Sequence, residues 1–164
     1  MATRINSRNF NAEVNKIVND IIPGCKNLYF HVGYFYFSGF SLIADSIKDK
    51  NVKILVGMEA DQTIQDLSKS KKEKRLDYYR KLSEEVDQNE ILDKPEERDS
   101  YFIFKKKILD GSLEVRQSKR PSHQKEFIFE YQEKYAKVLS SPGQTLVGSQ
   151  NLTKSGFITN INEY

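Results

Sequence analysis

The chain has little of what secreted, membrane and metal-dependent proteins rely on. Cysteine occurs once in 164 residues, so no internal disulfide can form, and Cys25 is interpreted as a buried, inert thiol. No apolar run is long enough to cross a membrane, and no signal-peptide core follows Met1. Histidine and cysteine do not cluster. These absences predict a cytoplasmic protein with no metal, no cofactor and no membrane association.

What is present is typical of one globular domain. The composition is 38% hydrophobic and 30% charged, and a chain of this length can bury roughly 70% of its unfolded surface. Residues 1–164 are therefore expected to form a single domain. The net charge of +3 permits a nucleic-acid partner without requiring one. The sequence stops without a tail-like composition, which favours a fragment of a longer protein.

Hydrophobic spacing predicts a mixed α/β fold. Residues 11–22 carry apolar side chains at helical spacing, whereas 28–35 and 52–58 are apolar, β-rich runs. Ser38 is a candidate cap for a helix between these two strands, and this order would place the strands parallel in one sheet.

The second half of the chain adds helices and short strands. Helical spacing and dense charge predict a helical insertion between residues 61 and 110, closed by a C-terminal cap at Gly111. Four short strands are predicted at 113–117, 126–131, 136–140 and 145–147, with a hairpin turn at 141–144.

Two polar motifs carry the chemistry: His123-Gln124-Lys125 and, downstream, Gly148-Ser149-Gln150-Asn151. Side chains two apart in a strand point the same way, so His123 and Lys125 are expected to project from one face. These groups suit an attack on a phosphodiester, in which negative charge develops on the equatorial oxygens of the phosphorus. Lys125 can supply positive charge, and Ser149 and Asn151 can supply hydrogen-bond donors. A neutral His123 imidazole can attack and form a phosphohistidine intermediate.

His123-x-Lys125 followed by Gly148-Ser149-x-Asn151 resembles the HxK and GSxN signature of the phospholipase D superfamily. The resemblance is greatest to single-motif bacterial nuclease-type domains, as found at the N-terminus of DNA helicases and in restriction enzymes. It implies a phospholipase D-like mixed β-sheet flanked by helices. It also implies a homodimer in which two copies of the motif share one active site, so that one histidine attacks and the other protonates the leaving oxygen.

A carboxylate is needed to orient the histidine ring, and two are candidates. The superfamily usually has aspartate five positions after the motif lysine, where this chain has Glu130. Glu163 fits the acidic residue that follows GSxN in the nuclease-type relatives, and it is preferred. Glu126 and Glu130 would lie on the strand face opposite His123.

Other candidates have simpler interpretations. Phe127 and Phe129 are expected to be core residues, and His31 a hydrogen-bonded core residue. A basic block is interpreted first as a solvated helix face, with phosphate contact as a second hypothesis that extends to the cations before the motif. The candidate nucleic-acid-binding residues are Lys71, Lys72, Lys74, Arg75, Arg116, Lys119 and Arg120.

The sequence thus predicts a metal-independent phosphodiesterase or endonuclease domain that acts on DNA as a homodimer, fused to a helicase or other DNA-processing domain. One alternative is a nucleic-acid-binding module of a helicase or restriction system that has lost turnover, which the departure at Glu130 favours. Phospholipid hydrolysis is a further alternative, but no interfacial amphipathic anchor supports it. Fold alone does not choose the substrate.

Overall fold

A computed structural model describes residues 10–69 and 95–158 of the chain. Five strands form one sheet there: β1 Cys25–Phe35, β2 Asn51–Ala60, β3 Leu113–Gln117, β4 Glu126–Tyr131 and β5 Gly143–Val147. The helices are α1 Phe10–Ile21, α2 Phe37–Phe40, α3 Ala44–Ile47, α4 Gln62–Lys69, α5 Pro95–Asp110, α6 Glu133–Leu139 and α7 Lys154–Ile158. No helix in the described ranges is both long and apolar enough to cross a membrane.

The sheet is mixed, with strand order β3-β2-β1-β4-β5. β1 pairs with β2, and β2 with β3, in parallel, whereas β4 is antiparallel to both β1 and β5. The strands β1, β2, β3 and β5 therefore end where β4 begins. We call this end of the sheet the carboxyl rim. In sheets with parallel strands this rim is the usual place for a ligand site.

One face of the sheet is buried against helices. Side chains alternate along the strands, so Phe30 lies in the core with Phe127 and Phe129, its ring centroid 5.1 Å from that of Phe127. Helices complete this core, because Phe104 of α5 packs on Phe35 and Phe157 of α7 packs on Phe127. The other face carries partly exposed apolar side chains in the described residues, among them Leu55, Ile128 and Val147. The predicted core role of Phe127 and Phe129 is confirmed.

The predicted mixed α/β class and most of its elements are confirmed. The 11–22 helix corresponds to α1, followed by a 3-10 turn over Ile22–Gly24. The predicted runs 28–35 and 52–58 lie within β1 and β2, and these pair in parallel as expected. The predictions at 113–117 and 126–131 match β3 and β4, and 145–147 lies in β5.

The predicted strand at 136–140 is wrong, because these residues fall in α6 and its cap. None of the described α6 side chains is buried, and Val138 is 76% exposed. A short apolar run does not distinguish a strand from a helix turn. Here an ion pair from Lys137 to Glu133, one helical turn away, supports the helix, and Ser140 ends it in the left-handed conformation. The 141–144 hairpin is therefore also wrong, since α6 lies between β4 and β5.

The predicted cap at Ser38 is wrong as well. Helix α2 begins at Phe37, so Ser38 lies inside it and makes no cap. The Asp61 carboxylate accepts the Phe37 backbone N–H at 2.8 Å and the Ile64 N–H at 2.9 Å. One carboxylate at the end of β2 thus caps α2 and α4 together, a contact between residues 24 apart that local sequence does not reveal.

The predicted insertion between 61 and 110 is helical in both described parts, α4 and α5. Helix α5 ends before Gly111, which has a φ of +80° and so serves as the predicted cap. The intervening basic residues Lys71, Lys72, Lys74 and Arg75 lie outside the described residues.

Candidate functional site

The first motif, His123-Gln124-Lys125, lies in a loop that crosses the carboxyl rim from β3 to β4. The Ser118 N–H donates to the Val56 carbonyl at 2.8 Å, and the Ser122 N–H donates to the Gly57 carbonyl at 3.0 Å. These two bonds hold the loop on the end of β2. A Cβ on Gly57 would lie 2.0 Å from the Ser122 carbonyl oxygen, so a side chain there would displace the loop.

The prediction that His123 and Lys125 project from one strand face is wrong in its premise. Strand β4 begins at Glu126, and both motif residues precede it in the loop. The loop follows its anchors on β2 rather than a strand ladder, so the two-residue alternation does not apply to it. Instead, His123 and Lys125 are brought to the rim because their loop passes directly over Gly57 of β2.

Lys125 is half-buried, and its ammonium donates a hydrogen bond of 2.7 Å to the His123 carbonyl oxygen. The ammonium also lies 3.7 Å from the point that a Cβ on Gly33 would occupy. No carboxylate in the described ranges forms an ion pair with it. Its positive charge is thus fixed at the rim and available to an anion.

Asn151, which follows β5, approaches the same point at Gly33. Its Oδ1 accepts the Tyr34 backbone N–H at 2.9 Å and lies 3.1 Å from the Gly33 Cβ position. A backbone N–H can only donate, so the amide oxygen must face Tyr34. The Asn151 NH₂ group is then left to donate to a ligand. The Lys125 ammonium and the Asn151 amide therefore converge over the bare backbone of Gly33.

The chain after β5 is held against the end of β1, which explains the position of Asn151. Leu152 forms an isolated bridge with Phe35, and its carbonyl accepts the Tyr36 N–H at 2.9 Å. A Cβ on Gly39 would lie 2.4 Å from the Leu152 backbone, and glycine permits this contact.

Ser149 lies beside Lys125 in the backbone path, because the Gly148 N–H donates to the Lys125 carbonyl at 3.2 Å. The Ser149 side chain is exposed, and its hydroxyl accepts a 3.3 Å bond from the buried Gln150 amide. The hydroxyl hydrogen is free to rotate toward a ligand.

His123 is exposed at the rim, with its ring edge-on to Tyr34 at a centroid distance of 6.2 Å. Within the described ranges no carboxylate bonds to the imidazole. Glu163, the preferred orienting carboxylate, lies outside the described residues. Glu126 accepts instead from the Gln124 amide at 3.0 Å.

Glu130 lies at the other end of β4, away from the carboxyl rim. Its carboxylate accepts from the Asn27 amide at 2.8 Å and from the Tyr29 hydroxyl at 3.2 Å. The hydrogen bond from Asn27 is the main reason that the pKa of Glu130 lies below its usual range. Glu130 thus has a structural role on the sheet rather than a place beside His123.

Three of the predicted nucleic-acid-binding cations lie within the described residues, and they differ in whether a carboxylate pairs with them. Arg116 is exposed but forms an ion pair with Glu114 on the same strand, at 2.5 Å. Lys119 and Arg120 are exposed on the loop that carries His123. These two side chains place positive charge on the surface beside the rim.

The prediction for His31 is wrong. This residue lies on the open sheet face and is half-buried, and its Nε2 is shielded from solvent with no hydrogen-bond partner in the described part of the chain. It lines a cavity of about 400 Å³ together with Tyr29, Lys53, Leu55, Arg116 and Ile128. The run 28–35 is apolar along most of its length, so its sequence does not distinguish the buried face from the open one. Strand alternation puts His31 opposite Phe30, on the face that the described helices leave open.

The sequence motif did not identify the residues that build the rim around it. Gly33, Gly57 and the Tyr34 N–H carry no recognisable chemistry alone, and only the close approach of distant backbone gives them a role. No group of three or more His, Cys, Asp and Glu residues within 10–69 and 95–158 is placed to hold a metal ion. No family of known proteins matches the chain, and no curated protein matches it either. The functional interpretation therefore depends on the geometry of the rim and on the two motifs.

Proposed function

We propose that this chain is a phosphodiesterase domain of the phospholipase D type that cleaves DNA, without a metal, as a homodimer. The observation that carries the proposal is the convergence of the Lys125 ammonium and the Asn151 amide at Gly33, beside the His123 loop. A cation and oriented N–H donors at one point are what a phosphate oxygen needs. The exposed cations Lys119 and Arg120 favour a polyanionic substrate such as DNA.

The proposed reaction has two displacements. A nitrogen of the neutral His123 imidazole attacks phosphorus, the bond from phosphorus to the leaving oxygen breaks, and a second, protonated histidine gives its proton to that oxygen. Lys125, Ser149 and Asn151 stabilise the charge on the equatorial oxygens. Water then attacks the phosphohistidine, loses its proton to the second histidine, and releases the phosphate product and the free His123 ring.

The second histidine is proposed to be His123 of another protomer. The chain has two histidines, and His31 lies on the open sheet face with its Nε2 shielded from solvent. A two-fold axis near the carboxyl rim would bring two copies of the motif to one site. Fusion to a helicase or restriction component within a longer protein is part of the same proposal.

The experiment measures cleavage of bis(p-nitrophenyl) phosphate and of labelled DNA in the presence of a chelator. His123→Ala is compared with His31→Ala, the matched histidine variant, and Lys125→Met with Lys137→Met, whose lysine lies on α6 beyond the opposite end of β4. We expect losses of at least 100-fold in the two rim variants and near wild-type rates in the two controls. Equal activity of His123→Ala and wild type would refute the proposal. A strict monomer in sedimentation with full activity would refute the shared site.

A nucleic-acid-binding module without turnover is the second candidate. It is favoured by the His123 ring, which has no orienting carboxylate within the described ranges, and by Glu130, which is engaged by Asn27 and Tyr29. This function predicts tight DNA binding by wild type and by His123→Ala alike, with no cleavage of either substrate by either protein.

A further inference from the structure

We infer that Tyr34 and Tyr36, here called the tyrosine pair, form a stacking platform that makes single-stranded DNA the preferred substrate. This inference rests on the proposed function and specifies its substrate class. The two rings and the His123 ring form a row of edge-to-face contacts, with interplanar angles of 68° between Tyr34 and Tyr36 and 60° between Tyr34 and His123. Tyr34 lies in the middle, with centroids 6.2 Å from His123 and 6.3 Å from Tyr36.

The tyrosine pair differs from the tyrosines that stabilise the sheet. The Tyr29 hydroxyl donates to Glu130, and the Tyr131 hydroxyl donates to Gln144. In the described residues neither hydroxyl of the tyrosine pair has a hydrogen-bond partner. Both rings are half-buried rather than part of the core, although Phe35 between them is fully buried. Each ring is therefore partly exposed at the rim, and neither hydroxyl is held by a polar contact in the described residues.

The tyrosine pair lies next in the chain to the point proposed for the phosphate. Tyr34 directly follows Gly33, over which Lys125 and Asn151 converge. A phosphate held at that point would place an adjoining base within reach of the Tyr34 ring. Glu59 is exposed and is the register partner of Tyr34 on β2. Its negative charge disfavours a phosphate there and so favours a base.

A base can stack on a tyrosine only when it is not paired inside a duplex, and any base has a suitable face. The platform therefore selects for single strands without reading sequence. In a duplex the bases are stacked on one another, and only the phosphate contacts would remain, with Lys119 and Arg120 and with the site residues Lys125, Ser149 and Asn151.

The test measures binding by the His123→Ala protein, which is not expected to cleave the probe. The probes are a fluorescent thymidine oligonucleotide of about 12 nucleotides and a duplex of the same length. We expect the single strand to bind at least tenfold more tightly. Adding Tyr34→Leu or Tyr36→Leu should weaken its binding by roughly tenfold per lost stacking contact, whereas Tyr34→Phe should keep it. Tyr135→Leu, on α6, is the matched control and should leave binding unchanged.

The outcomes separate this inference from the proposed function. Cleavage of bis(p-nitrophenyl) phosphate by the wild-type protein tests the phosphodiesterase chemistry, since that substrate contains no nucleobase. If this cleavage occurs and the leucine variants bind the single strand as tightly as the His123→Ala protein does, the platform is wrong and the phosphodiesterase stands. Tighter binding of the duplex, or no binding of the single strand, would also overturn the platform.

Discussion

Replacing Gly57 with alanine should impair the candidate site much more than the fold, because the loop that carries His123 lies directly on this glycine. An alanine Cβ would be 2.0 Å from the Ser122 carbonyl oxygen, whereas real contacts of a Cβ stay beyond 3.0 Å. The loop must therefore move by roughly 1 Å, since the atom it meets is backbone and cannot rotate away.

Two consequences of different size follow from this displacement. The hydrogen bond from the Ser122 N–H to the Gly57 carbonyl is lost or weakened, at a net cost of about 1 kcal/mol. Overpacking of a tight contact adds about 1–3 kcal/mol, so the variant should lose about 2–4 kcal/mol of unfolding free energy. A displacement of about 1 Å in a catalytic group costs about 100-fold in rate. Activity should therefore fall far more than the folded fraction.

The assay combines urea unfolding with turnover of bis(p-nitrophenyl) phosphate per folded molecule. Gly111→Ala is the control, because its φ of +80° strains an alanine by about 1–2 kcal/mol while a Cβ there meets nothing within 4 Å. The control should lose stability and keep its activity. Gly57→Ala with wild-type stability and turnover would refute the crossing of the loop over β2.

Three further predictions test the surrounding fold. Burial raises the pKa of the Cys25 thiol to about 11, which lowers its thiolate fraction at pH 8 by about 100-fold. The thiol reagent dithionitrobenzoate should therefore react with Cys25 only after denaturant is added. Rapid reaction in the native state would contradict the burial. The hydrogen bond from Asn27 lowers the pKa of Glu130, so the ionised carboxylate stabilises the fold above its unfolded pKa and this contribution is lost as pH falls through the folded pKa. In urea titrations from pH 7 to 3, Glu130→Gln should therefore lose less unfolding free energy on acidification than wild type does. An equal loss in the two proteins would count against the bond. Phe104→Ala should cost about 3–5 kcal/mol, because this ring is fully buried with its centroid 4.8 Å from that of Phe40; a loss below about 1 kcal/mol would show that α5 does not pack there.

The sequence predicts the sheet better than the connections because strands leave a local pattern. Apolar runs at 28–35 and 52–58 and alternation at 126–131 need no knowledge of their partners. The predicted cap at Ser38 failed because of a distant residue. Ser38 has the chemistry of a cap, but Asp61 takes that position from 24 residues away. The 136–140 run is too short for its apolar residues to distinguish a strand from a helix turn, and in the structure it belongs to α6 and its cap.

The candidate site likewise has residues that the sequence predicts and residues that it does not. His123, Lys125, Ser149 and Asn151 carry recognisable chemistry and spacing, and the structure gathers their backbone at one rim. Strand alternation between His123 and Lys125 is not the physical cause of this gathering, because both residues precede β4. The bare backbone at Gly33 and the crossing at Gly57 are the cause, and neither has a sequence signal by itself.

The two glycines act together because they face each other at an irregularity in the sheet. The pairing of β1 with β2 shifts between Val32 and Tyr34, so Gly57 and Met58 of β2 lie opposite the single residue Gly33. Such bulges bend a strand and interrupt its ladder, and they often adjoin active sites. The absence of a Cβ on either strand lets the His123 loop and the Asn151 amide contact the sheet directly. A change in this irregularity should therefore alter anion binding before it alters the core, since Phe30 and its neighbours pack on the opposite face.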